Sequence, residues 1–115
     1  MKTYKLNGTI VNVSIGKYGN RRPAILIKDA DGMPYMTATL NVASDSPVAL
    51  EDVVIKNYSE NEGIYQWLVD RNIILPAYAE LSLVHGNYAP ICELNPESEW
   101  KDEMNVLEDV DDYLN

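Results

Sequence analysis

A chain of 115 residues is sized for one domain with a core of its own, and hydrophobic residues at 46% with charged residues at 23% are ordinary globular values. A single cysteine, Cys92, excludes an internal disulfide and a cysteine-based zinc site, and no apolar run approaches the length that spans a bilayer. The net charge of −9 argues against tight, non-specific binding of nucleic acid by the whole molecule, because attraction to phosphate needs clustered Lys and Arg.

In chain order, Thr3 to Leu6 reads as a short strand, and Asn7-Gly8 favours a tight hairpin turn after it. Thr9 to Ile15 alternates, with Val11, Val13 and Ile15 on one face, as a half-buried strand does. Gly16 to Arg22 reads as a loop that reverses at Gly19-Asn20. The apolar run Ala24 to Lys28 suits the centre of a sheet, and Asp29 to Gly32 suits a turn. Tyr35 to Val42 alternates again, setting Tyr35, Thr37, Thr39 and Asn41 opposite Met36, Ala38, Leu40 and Val42.

After a loop from Ala43 to Asp52, the β-branched run Val53 to Ile55 leads into a helix start. Ser59 stands three residues before Glu62, the spacing of a capping box, and Glu60 and Glu62 suit the positive end of a helix dipole. The expected helix runs from about Glu60 to about Arg71, burying Ile64, Trp67 and Leu68. Gly63 in its first turn suggests close approach by another backbone. Glu80 to Val84 and Ala89 to Leu94 read as a closing hairpin around His85-Gly86-Asn87.

From Asn95 the composition shifts. Trp100, Met104, Leu107 and Leu114 recur at about helical period on an acidic segment. Three readings fit: a terminal helix on the sheet, an amphipathic arm that docks on a partner, or a disordered tail. The expected organisation is one α+β domain over residues 1–94 with an acidic C-terminal extension over 95–115. The expected fold is a mainly antiparallel sheet of five or six strands with one central helix.

The order and spacing of three segments resemble an uncharacterised bacterial family, domain of unknown function 4313. They are Tyr18-Gly19-Asn20 with Ala24-Ile25; Asp29 to Tyr35 with Thr37 to Asn41; and Glu51 to Gly63, containing Tyr-Ser-Glu-Asn-Glu-Gly. The resemblance covers about residues 4–94 and leaves the acidic extension outside it. It implies a small accessory protein of a plasmid, integrative element or phage, and it transfers no catalytic residue.

An enzyme needs a nucleophile, base or metal in a constellation, and the candidates are sparse. His85 falls in a turn, Cys92 reads as a small buried apolar group, and Asp29-Ala30-Asp31-Gly32 lacks the later ligands of a calcium loop, with Leu40 at its twelfth position. No cofactor, metal or enzymatic activity is expected.

Charge is the stronger signal. Residues 1–28 carry +6, residues 29–115 carry −15, and the last 21 positions alone carry −7. The expected function is a non-enzymatic interaction protein, cytoplasmic, that binds a basic protein. Concretely, it would inhibit a nucleic-acid-targeting defence such as a CRISPR effector or a restriction enzyme by mimicking phosphates. The candidate carboxylates are Glu60, Glu62, Glu97, Glu99, Asp102, Glu103, Glu108, Asp109, Asp111 and Asp112, with Trp100, Met104 and Leu107 as apolar anchors. The alternative is an accessory nucleic-acid-binding protein that uses Lys17, Tyr18, Arg21 and Arg22.

Overall fold

A computed structural model of the chain describes residues 3–83 and 86–96, together with the backbone of residues 109–110. It is an α+β structure, and its strands form two sheets where the sequence suggested one. The first sheet takes β1 (Thr3–Leu6), β2 (Thr9–Tyr18), β3 (Pro23–Asp29) and β4 (Pro34–Thr37) in that order, all antiparallel. The second sheet begins with β5 (Thr39–Leu40) and β6 (Val53–Ile55). It continues with β7 (Ala79–Ser82) and β8 (Tyr88–Cys92), in the order β5-β6-β8-β7. A two-residue strand, β9 (Asp109–Val110), pairs parallel to β2 at Lys17 and Tyr18.

Ala38 is where one sheet becomes two. Its N–H donates to the Ile25 carbonyl at 2.9 Å, continuing the β3–β4 ladder, while its own carbonyl accepts from Lys56 N–H at 2.9 Å and opens the β5–β6 ladder. Tyr35 to Val42 therefore alternates as one strand in sequence but serves two sheets in space. Both sheets send alternate side chains into one core: Val11, Val13, Ile25 and Ile27 from the first, Val53, Ile55 and Cys92 from the second. A smaller cluster of Leu40, Val48, Val54, Ala89 and Ile91 fills the other face of the second sheet.

The helix is shorter than its pattern suggested. Ser59–Asn61 forms a single 3-10 turn and α1 spans Ile64–Asp70. The expected capping box does not form. Ser59 has φ +54, Gly63 has φ +94, and neither Ser59 nor Gly63 supplies a side-chain cap. The carboxamide of Asn57 does that work: its Oδ1 accepts from Gly63 N–H and Tyr65 N–H, each at 3.0 Å. Glycine is required at 63 by the left-handed φ, not by a neighbouring backbone, because the space beside its Cα is open. At the far end Asn72, with φ +60, closes the helix, and Ile73 N–H reaches back to the Leu68 carbonyl at 3.0 Å.

Ile64 and Leu68 are buried as the stripe requires. Trp67 is half-buried against Tyr4, with its indole N–H donating to the Lys5 carbonyl at 2.9 Å and the Arg71 guanidinium 4.4 Å from its ring. Because Asn57 holds two of the donors at the start of α1, Asn57→Ala is expected to cost about 1 kcal/mol. Ser59→Ala should cost under half of that, and urea denaturation of both variants checks the ranking.

Candidate functional site

The residues that distinguish this chain from a bare scaffold gather at the sheet crossing. A cleft of about 460 Å³ opens between the β4–β5 crossing and the segment Lys56 to Asn61. Four polar or charged residues are buried among those described, and three of them line this cleft: Thr39, Asn41 and Asn61. Buried polar groups need partners, so their concentration in one place identifies a constructed feature.

Each is held by a specific bond. Tyr18, itself buried, donates its hydroxyl to the Thr39 carbonyl at 3.1 Å and lies 3.0 Å from the Thr39 hydroxyl. The Thr39 hydroxyl also accepts from Ile25 N–H at 3.3 Å, on the side where β3 and β5 part company. Asn61 donates its Nδ2 to the Thr37 carbonyl at 2.9 Å, tying the 3-10 turn to the end of β4. Asn41 accepts from Val42 N–H at 3.0 Å.

Charge in the cleft is balanced. Lys56 Nζ donates to Glu60 Oε2 at 2.7 Å and sits 5.8 Å from the Tyr58 ring centroid. The bond from Lys56 holds the Glu60 carboxyl below the usual carboxylate range, so Glu60 stays ionised. The cleft is therefore a polar recess of hydroxyls and carboxamides with one ion pair, suited to recognition by hydrogen bonding. Among the described residues no group of three His, Cys, Asp or Glu side chains is placed to hold a metal.

Residues distant in sequence meet here, since Tyr18, Tyr35, Thr37 to Asn41 and Glu60-Asn61 all border the cleft or underlie it. Thr39, Asn41 and Asn61 had no place among the sequence candidates. The first two belong to the polar face of an alternating strand, yet both faces are buried once the chain changes sheets at Ala38.

The sequence candidates fall in different places. Glu60 lines the cleft, whereas Glu62 is exposed and does not line it. Asp109 lies on β9, at the register position opposite Lys17. Glu97, Glu99, Trp100, Asp102, Glu103, Met104, Leu107, Glu108, Asp111 and Asp112 lie outside the described residues, as does His85. The basic group is divided. Arg21 is exposed and Lys17 half-buried, whereas Tyr18 is committed to Thr39 and Arg22 is buried against the carbonyls of Ser46, Val48 and Ala49. Gly16 to Tyr18, expected as loop, is the end of β2: Gly16 and Lys17 pair with Ala24 and Pro23, and Tyr18 N–H donates to the Arg22 carbonyl at 2.9 Å.

Cys92 is fully buried in β8, and desolvation pushes its thiol from 9.0 up to about 12, with the Asp52 carboxylate adding to the rise. Tyr78 donates its hydroxyl to Asp52 and is likewise raised, to about 12. A raised folded value means the native state keeps its proton where the unfolded chain loses it. The stability this contributes is whole below pH 9 and drains away as pH climbs toward 12. The native protein is expected to resist iodoacetamide at pH 8 and to react fully in denaturant; fast labelling of the native chain would contradict the burial.

The chain matches no protein-family model, no curated protein and no solved structure. No helix among the described residues is long and apolar enough to cross a membrane.

Proposed function

We propose that this chain is a non-enzymatic acidic interaction protein of a bacterial mobile element that binds a basic, nucleic-acid-handling protein. In this reading it inhibits a defence nuclease, a CRISPR effector or a restriction enzyme, by presenting carboxylates where phosphates would lie. The observation that carries the reading is the segregation of charge, with −7 in the last 21 positions. The attachment of that segment supports it. The chain leaves the second sheet at Leu94, bridged to Ile74, and is paired again to β2 at Asp109–Val110, so the anionic stretch is tethered to the scaffold at both points. Tethering reduces the ordering cost that a free acidic tail would meet on binding.

The family resemblance supports the genetic setting. The nucleic-acid-binding alternative is weakened, because Tyr18 and Arg22 serve the interior and leave Lys17 and Arg21 as the cations of that loop.

The test is capture from a bacterial lysate with the unmodified chain and with a variant carrying amides at the acidic positions from 97 to 112. A basic partner should be retained at low salt and released as ionic strength rises, and the amide variant should lose it. Undiminished capture by the amide variant, or a gel shift of a single-stranded oligonucleotide by the chain alone, would refute the proposal.

A further inference from the structure

We infer that the edge of β2 over Gly16 to Tyr18 is an acceptor site for an acidic, extended peptide of a partner protein, and that β9 occupies it in cis. The pairings fix which edge is meant. β3 covers one edge of β2 from Val11 to Lys17. β1 lies on the opposite edge but reaches only from Thr9 to Asn12, and β9 joins that same edge at Lys17 and Tyr18. Residues 13–16 between them have no strand partner on this edge among the described residues. A half-covered strand edge is a standing invitation to strand addition.

The surroundings select an anionic occupant. Lys17 and Arg21 flank the edge, and beside it a cleft of about 190 Å³ is lined by them together with apolar Ile15, Leu50 and Leu94; Glu51 is the only acid in that lining among the described residues. Leu50 is 54% exposed, a large apolar group left at the surface here. The strand already seated shows what the edge accepts. Its sequence context is Leu107-Glu108-Asp109-Val110-Asp111-Asp112, and its register sets Asp109 opposite Lys17.

The cis contact is also built to be exchanged. It is a parallel pairing of two residues, shorter and weaker than any other ladder in the first sheet. Because β9 belongs to the same chain as β2, it meets the edge at an effective concentration of roughly millimolar order. A partner peptide of the same chemistry competes against that local concentration. Removing β9 from the edge therefore opens the site. This inference shares β9 with the phosphate-mimicry reading but concerns what β2 accepts, and peptide binding at Gly16 to Tyr18 and lysate capture read the two separately.

The experiment uses the full-length, isotope-labelled protein carrying Val110→Pro, which cannot supply the N–H that the strand needs at that position. The probe is a synthetic peptide of residues 105–115, followed by amide shifts. The Val110→Pro chain should bind it at least about tenfold more tightly than the unmodified chain. The shifts should centre on Gly16, Lys17 and Tyr18, and Lys17→Glu added to that background should abolish them. A composition-matched scrambled peptide binding equally well would overturn the inference, as would shifts confined to other strands or no binding to the Val110→Pro chain. Concentration-dependent self-association of the unmodified chain through the same amides would also overturn it, assigning the edge to a second copy. Lysate capture, by contrast, is decided by the acidic positions and reads the other proposal separately.

Discussion

Arg22→Ala is expected to destabilise the domain by about 3 kcal/mol and to lower its Tm by roughly 10 °C. The guanidinium is buried, and it stitches the long loop between β5 and β6 to the first sheet. Its Nη1 donates to the Val48 carbonyl at 2.9 Å and the Ala49 carbonyl at 3.4 Å, and its Nη2 to the Ser46 carbonyl at 3.4 Å. No carboxylate pairs with it among the described residues, and its Nε is buried without a partner. Backbone carbonyls therefore stabilise the charge, and alanine would leave them dry and unsatisfied. Val48, which the loop delivers into the second cluster, would lose its anchor as well. Arg21→Ala, one residue earlier and exposed, should change stability by less than about 0.5 kcal/mol. Urea denaturation of the two variants makes the comparison. Near-equal effects would mean that Arg22 is not the interior clamp its bonds describe.

Leu68→Ala should cost somewhat more, about 3–4 kcal/mol. Leu68 is fully buried on the inner face of α1, in the core that takes side chains from both sheets. Its truncation leaves a void where three layers meet, and its neighbours Ile55, Ile73 and Ile74 are β-branched chains with little freedom to fill it. Ile10→Ala serves as the control, since Ile10 is 47% exposed on β2 and should be nearly neutral. Tryptophan fluorescence in a urea titration reads both. A Leu68 effect below about 1 kcal/mol would show that the helix is not part of the core.

The strands were largely legible in the sequence because side-chain alternation has one cause, the pleat, and it needs no partner to be seen. Val11, Val13 and Ile15, then Ala24 to Ile27, then Val53 to Ile55, all lie in strands and all are buried. The division into two sheets was not legible. It turns on which neighbour takes the backbone of Ala38, and a small apolar residue gives no sign that its N–H and C=O serve different ladders. The helix start misled for a related reason. Ser59 and Glu62 have the right spacing for a reciprocal cap, but Gly63 admits a left-handed turn that breaks the helix from its apparent beginning and leaves the role to Asn57. At the cleft, Glu60 was among the sequence candidates, whereas Thr39 and Asn41 are polar members of an alternating strand whose burial alternation cannot announce, and Asn61 lies in a 3-10 turn where an expected helix gave it no special place. The basic loop failed oppositely: a run of Lys, Tyr and Arg suggests a ligand surface, and two of those side chains turned inward to bond carbonyls.

Ala38 also fixes how the molecule comes apart. One residue acts as a rivet through both sheets, its amide fastened to Ile25 and its carbonyl to Lys56, and its side chain is wholly enclosed. Pulling either ladder away exposes the rivet to the other, so neither sheet has a private melting event. Deuterium uptake at Ile27 and at Ile55, on opposite sides of that joint, should consequently share a single opening free energy.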